Sequence, residues 1–253
     1  MLDTNSILEK EYKVNSLNIN TNKKLGLYGL LGILQDAAGA HADKLGFGYE
    51  ESISQGFFWV LVRQKLRMEK WPAWHDTITV KTWTKPIIGT NAFREYEFCI
   101  NNEKIGDCST TWMILDTKTR RPKQIDNTAD LFKPRTDYSL NYTAEKVLVP
   151  TEIEKINTFN VRISDLDMNN HVNNVKFTQW VLDSIPFTYH KSFEIKEYEI
   201  NFIREIFLND KVEVSSNMQM LNPKEQYEIF FKGNRENESK PAFTARILTK
   251  AVQ

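Results

Sequence analysis

Between residues 25 and 45, Leu27, Leu31, Leu34, Ala38 and Ala42 recur at intervals of three, four and seven, the spacing of a helix with one buried stripe. Gly26, Gly29, Gly32 and Gly39 interrupt that pattern, and each interior glycine costs a helix about 1 kcal/mol, so tertiary contacts must compensate. Close approach of the helix to a sheet is the simpler reading of these small residues; room for a ligand is the other. The period then changes to two. Residues 57–62 are a continuous apolar run, and 77–84 alternate with Ile78, Val80 and Thr82 on one face. Residues 92–100 and 105–115 flank Asn101-Asn102-Glu103-Lys104 and predict a hairpin. Residues 117–158 are polar and broken by Pro122, Pro134 and Pro150, as in a connector.

The second half repeats the first. Val172, Val175, Val181, Leu182 and Ile185 predict a helix over 172–185 that Pro186 ends. Strands are expected over 193–202, 211–218, 227–232 and 242–249. Laying Asp76-Thr77-Ile78-Thr79-Val80 over Asp210-Lys211-Val212-Glu213-Val214 sets an offset of 210 − 76 = 134. The pattern predicts an α+β fold in which a long helix is wrapped by a curved antiparallel sheet, twice over. The expected domains are 1–135 and 150–253, joined by a linker over 136–149.

Composition narrows the function. Thirty-three basic residues balance thirty-three acidic ones, so net charge supplies no argument for nucleic acid or an anionic membrane. The least charged stretch, 25–42, contains Gln35, Asp36 and His41 and falls short of the about 20 apolar residues of a membrane span. The first fourteen residues hold no basic segment followed by an apolar one, and a cytoplasmic location is expected. Cys99 and Cys108 make neither a disulfide framework nor a zinc set, and His41, His75, His171 and His190 are scattered. No metal and no cofactor is expected.

The densest polar cluster is Ser164-Asp165-Leu166-Asp167-Met168-Asn169-Asn170-His171-Val172-Asn173-Asn174, just before the second helix. Asp and Asn there commonly cap a helix. An imidazole, a carboxylate and an amide within five residues also suit general-base and positioning roles, and the helix start suits an oxyanion. From the residues alone, both readings stay open.

The segment from Asp167 to Val175, followed by Trp180, resembles the active-site segment of the acyl-acyl carrier protein (acyl-ACP) thioesterases of plants and bacteria. The similarity continues in Trp59-Val60 with Arg63, Pro72-Ala73-Trp74-His75-Asp76, Thr82-Trp83, Ser109-Thr110-Thr111-Trp112-Met113, and Asp116 with Thr119-Arg120-Arg121-Pro122. The resemblance implies a tandem hotdog fold and hydrolysis of the thioester between a fatty acyl group and its carrier protein. It places catalysis on Asp167, Asn169 and His171, and on Glu205, 34 residues after the histidine. Many plant members carry a cysteine directly after that glutamate; here the position is Ile206. Direct attack by water is therefore expected, with the backbone N–H groups around Val172 and Asn173 as oxyanion donors.

At the offset of 134, Glu205 corresponds to Trp71. The first half is accordingly expected to have lost catalysis and to hold the acyl chain. The expected partner is an acyl carrier protein bearing a fatty acyl chain, with Arg63, Lys65, Arg67 and Lys70 either a docking cluster or the solvated face of a strand. An acyl-CoA thioesterase and a non-catalytic acyl-binding protein are the alternatives. A single hotdog usually needs a partner and a tandem one contains it, so a homodimer of such chains is left open.

Overall fold

The computed structural model describes residues 6–124, 132–222 and 226–252. Residues 1–5, and residues 125–131 of the expected connector, lie outside them. The chain divides into two compact units, Met1–Ala144 and Glu145–Gln253.

Unit 1 contains β1 (Ile7–Lys13), α1 (Leu27–Leu45), α2 (Tyr49–Ser54), β2 (Phe57–Met68), β3 (Thr77–Ile88), β4 (Asn91–Ile100) and β5 (Glu103–Asp116). Its strands lie in the order β1-β3-β4-β5-β2 with antiparallel pairing between neighbours. The α1 stripe Leu27, Leu30, Leu31, Leu34, Ala37, Ala38 and His41 is buried, which withdraws apolar surface from water at about 25 cal/mol per Å². Gly46 ends α1 at φ 79°, with its N–H on the carbonyls of Ala42 and Asp43. Past that end, Phe47, Phe57, Ile114 and Phe132 form a second buried cluster, in which the rings of Phe47 and Phe132 meet edge to face at 4.6 Å. Residues after Phe132 are strapped to the opposite face of the sheet. There the buried Glu95 carboxylate accepts from Trp83 Nε1, Lys85 Nζ, Ser139 Oγ and the Leu140 N–H.

Unit 2 contains β6 (Glu154–Asn160), a 3-10 turn (Ile163–Asp165), α3 (Asn174–Asp183), α4 (Phe187–Ser192), β7 (Phe193–Phe202), β8 (Lys211–Asn222), β9 (Gln226–Arg235) and β10 (Phe243–Ala251). The order β6-β8-β9-β10-β7 repeats unit 1 strand for strand, again antiparallel. From α3, Phe177 sets its ring edge to face against Phe202 at 5.4 Å and Phe243 at 5.5 Å. A Cβ on Gly233 would lie 1.9 Å from the Phe243 ring, so only glycine lets that ring pack down on β9.

Each unit is thus a hotdog, a helix laid on an antiparallel sheet, as expected. Several details differ from the sequence reading. The second helix is shorter than 172–185, because Val172 and Asn173 belong to the loop that enters it. Each sheet has a fifth strand, β1 and β6, at an edge, where half-exposed polar sequences carry little alternation. The hairpin turn is two residues, Asn101 and Asn102 at φ 50° and 66°, with Ile100 opposite Glu103. Gly32 and Gly39 lie on the exposed face of α1 with open space around them, so neither brings the helix close to a sheet. Among the described residues, no helix is long and apolar enough to cross a membrane.

Candidate active site

The site is built on the loop that enters α3. A bridge between Leu166 and Val172 closes that loop. Inside it, the Asp167 N–H donates to the His171 carbonyl at 2.8 Å and the Asn170 N–H to the Asp167 carbonyl at 3.0 Å. Asn170 supplies the left-handed corner at φ 61°, a conformation asparagine tolerates. The Asp167 carboxylate folds back on its own turn: Oδ1 accepts from the Asn169 N–H at 2.8 Å and lies 3.4 Å from the His171 N–H. Asp167 is therefore a turn-former whose charge stays within the loop, directly beneath Asn169 and His171. Asn169 is exposed on the same turn.

A second segment locks on from the other side. The Val172 N–H donates to the Ile206 carbonyl at 2.9 Å, and His171 bridges Phe207. That pairing carries Glu205, distant in sequence, to His171: Oε1 stands 3.5 Å from Nδ1. The side chains are 24% and 36% exposed, which leaves both open to a substrate. The Phe207 ring meets the imidazole edge to face at 5.0 Å and 90°. Nothing in the sequence pattern singled out Phe207; it follows from the bridge.

The helix start is capped by Asn173, whose Oδ1 accepts from the Val175 N–H at 2.9 Å. Asp165 is also structural: it accepts from the Arg162 N–H at 2.8 Å and faces Lys176 at 3.6 Å. The expected oxyanion donors are a correction. The Val172 N–H is spent on Ile206, and the Asn173 N–H donates to the Asp165 carbonyl at 2.9 Å. Val175 is capped and the Lys176 N–H donates to the Asn173 carbonyl at 2.8 Å. Asn174 is the first-turn residue whose N–H has no partner among the described residues.

An imidazole and a carboxylate in contact, half open to solvent, beside an amide side chain and a helix start, can deprotonate a water and steady a developing oxyanion. Ile206 is fully buried and offers no thiol beside Glu205. The basic cluster of β2 is partly engaged: Lys65 Nζ lies 5.7 Å and the Arg67 guanidinium 3.8 Å from the Tyr142 ring centre.

The sequence profile of the acyl-ACP thioesterase N-terminal domain matches residues 5–132, and that of the C-terminal domain matches residues 149–245. The chain is 27% identical over 225 residues to oleoyl-acyl carrier protein thioesterase 2, chloroplastic, of Arabidopsis thaliana, covering 81% of this chain and 61% of that one. It is 27% identical over 228 residues to dodecanoyl-[acyl-carrier-protein] hydrolase, chloroplastic, of Cinnamomum camphora, covering 79% and 56%. It therefore spans less than two thirds of the length of these relatives. An acyl-ACP thioesterase from Bacteroides thetaiotaomicron superposes with a TM-score of 0.85 at 20% identity, covering 97% of this chain and 98% of the other. The 12:0-ACP thioesterase from Umbellularia californica superposes at 0.86 and 20%, covering 97% and 94%. At that identity the superpositions speak for the fold.

Proposed function

We propose, from the premise that the chain belongs to the acyl-ACP thioesterase family, that it hydrolyses the thioester of fatty acyl-ACP and releases a free fatty acid. The observation that carries this reading is the approach of His171 Nδ1 and Glu205 Oε1 to 3.5 Å beside the Asp167–Asn170 turn. Glu205 and His171 hold a water and accept its proton as the oxygen attacks the thioester carbonyl carbon. Asn169 orients the water or the carbonyl, Asp167 holds the turn that carries both Asn169 and His171, and the Asn174 N–H is the donor available to the oxyanion. Collapse of the tetrahedral intermediate breaks the carbon–sulfur bond, and the returned proton leaves with the carrier thiol. Each part is a group fixed before the substrate arrives, which is where electrostatic stabilisation is most effective. Unit 1, without such a set, holds the acyl chain.

Release of free thiol from an acyl-ACP, compared with the same acyl-CoA, tests the reading. Faster release from acyl-ACP, lost in Glu205→Gln, is the expected result. Equal release from both would make it an acyl-CoA thioesterase, and release from neither an acyl-binding protein.

A further inference from the structure

Phe207 touches the proposed machinery without taking part in its proton transfers. The bond from the Val172 N–H to the Ile206 carbonyl makes His171 and Phe207 a cross-strand pair of the non-hydrogen-bonded kind, in which opposed side chains approach most closely. The two rings accordingly meet at 5.0 Å between centres with their planes at 90°, an arrangement that aromatic rings prefer to a flat stack. Glu205 and Phe207 lie two residues apart, the spacing that puts side chains on one side of an extended segment, and Ile206 between them is buried. The imidazole is thus met by a carboxylate and by a ring from one segment.

The carboxylate by itself holds the imidazole loosely. Nδ1 stands 3.5 Å from Oε1, outside the range of about 2.7–3.2 Å for a formed hydrogen bond, and among the described residues no protein group bonds to Nε2. The terminal torsion of a histidine is broad and roughly two-fold, so turning the ring over would put carbons where the nitrogens stand. A neighbouring ring at a right angle resists that turn. The backbone does not need Phe207 for its own sake. In unit 1 the matching bridge joins Lys24 to Ala73, the Ala73 N–H donates to Asp76 Oδ2 at 2.8 Å, and the Asp76 N–H donates to the Ala73 carbonyl at 3.1 Å. Phe207 and Asp210 make the same two bonds at 2.9 and 3.1 Å. The turn therefore closes on a methyl group where Lys24 replaces the imidazole, and carries a ring where His171 stands. Phe207 is also 40% exposed, so the core does not require it.

We propose that Phe207 is a positioning residue: its ring fixes the plane of the His171 imidazole, keeping Nδ1 toward Glu205 and Nε2 toward the reacting atoms. The inference rests on the reading that His171 acts in thioester hydrolysis. A misplacement of about 1 Å in a reacting group can cost about 10²-fold in rate, so the contact acts on turnover rather than on substrate affinity.

The test pairs steady-state hydrolysis of an acyl-ACP with nuclear magnetic relaxation of the full chain carrying isotope-labelled histidine, the His171 signals being those missing from His171→Ala. Phe207→Leu keeps an apolar side chain but loses the flat face. It should lower kcat about tenfold, equal to about 1.4 kcal/mol and the upper end of what an aromatic pair supplies, and leave KM within about twofold. In the same variant the order parameter of the His171 ring C–H bonds should fall while those of His41, His75 and His190 hold. Phe207→Tyr, which keeps the ring, should recover both kcat and order, with melting temperature as the control for folding. An imidazole as ordered in Phe207→Leu as in the parent overturns the proposal. So does a rise in KM at unchanged kcat, which would make Phe207 a wall for the substrate. An inactive parent would sink the proposed hydrolysis, whereas the ordering of His171 by Phe207 is read without turnover and stands or falls by itself.

Discussion

In unit 1 the Asn20 N–H donates to the Lys24 carbonyl at 2.8 Å; in unit 2 the Asp167 N–H donates to the His171 carbonyl at 2.8 Å. The two loops agree bond by bond. Asn20 Oδ1 accepts from the N–H groups of Asn22 and Lys24, as Asp167 Oδ1 does from Asn169 and His171. Lys23 turns the left-handed corner at φ 57° where Asn170 has 61°. Leu25 donates to the Pro72 carbonyl as Val172 does to Ile206, and Gly26 to Asn18 as Asn173 does to Asp165. The two loops follow one backbone course, and the side chains at matching positions differ: the proposed catalytic set Asp167, Asn169, His171 and Glu205 corresponds to Asn20, Asn22, Lys24 and Trp71. The ring that meets the His171 imidazole has no counterpart either, since Phe207 corresponds to Ala73. The loop geometry therefore does not depend on the Asp-Asn-His-Glu set, and the activity proposed above rests on side chains placed upon it.

The largest expected effect contrasts the two sets. His171→Ala or Glu205→Gln should lower kcat by about 10³, within the range of general acid–base catalysis, while Lys24→Ala stays within about threefold. Comparable losses from both loops, measured by thiol release, would erase the asymmetry. Asp167→Asn sharpens it, because Asn20 builds the same turn without a charge. Its melting temperature should stay within about 2 °C of the parent while kcat falls about tenfold, which assigns the loss to charge rather than to shape. Full activity would leave Asp167 as a turn-former only.

The helices supply a smaller contrast in stability. Gly29 corresponds to Lys176, but its added Cβ would lie 2.5 Å from the Asn18 carbonyl oxygen. Gly29→Ala should therefore cost about 1–3 kcal/mol in denaturant unfolding. Gly32, whose counterpart is Gln179, has open space, and Gly32→Ala should add about 0.5–1 kcal/mol. The reverse order would mean that α1 packs differently. Smallest of all is removal of both thiols. Burial pushes the Cys99 and Cys108 thiols up, against nucleophilic use. Cys99→Ala with Cys108→Ala should keep kcat within about twofold, and an acyl adduct on either cysteine in the parent protein would contradict attack by water.

Local pattern was enough for the two helices, eight of the strands and the repeat, because hydrophobic periodicity is written in the residues that are buried. It was weakest where burial is one-sided or absent. The polar edge strands β1 and β6 hold their place through pairing with β3 and β8, and the glycines of α1 read alike although Gly29 meets Asn18 while Gly32 meets open space. The candidate set Asp167, Asn169 and His171 was visible as a dense polar run, and Glu205 through the family resemblance. Their partnership was not, since Glu205 reaches His171 through the Ile206 and Phe207 backbones, which bond to a loop more than thirty residues earlier. A single offset of 134 also hid the degenerate loop, which aligns at 167 − 20 = 147. Nine of the thirteen residues of difference come from α1, which runs 19 residues against 10 in α3, and two from β2, which runs 12 against 10 in β7. Residue identity by itself determined which side chains can do chemistry and which faces are buried. Only the tertiary structure decided which N–H groups remain to receive an oxyanion and that Phe207 stands against His171, because hydrogen bonds and ring contacts depend on neighbours that sequence order does not bring together.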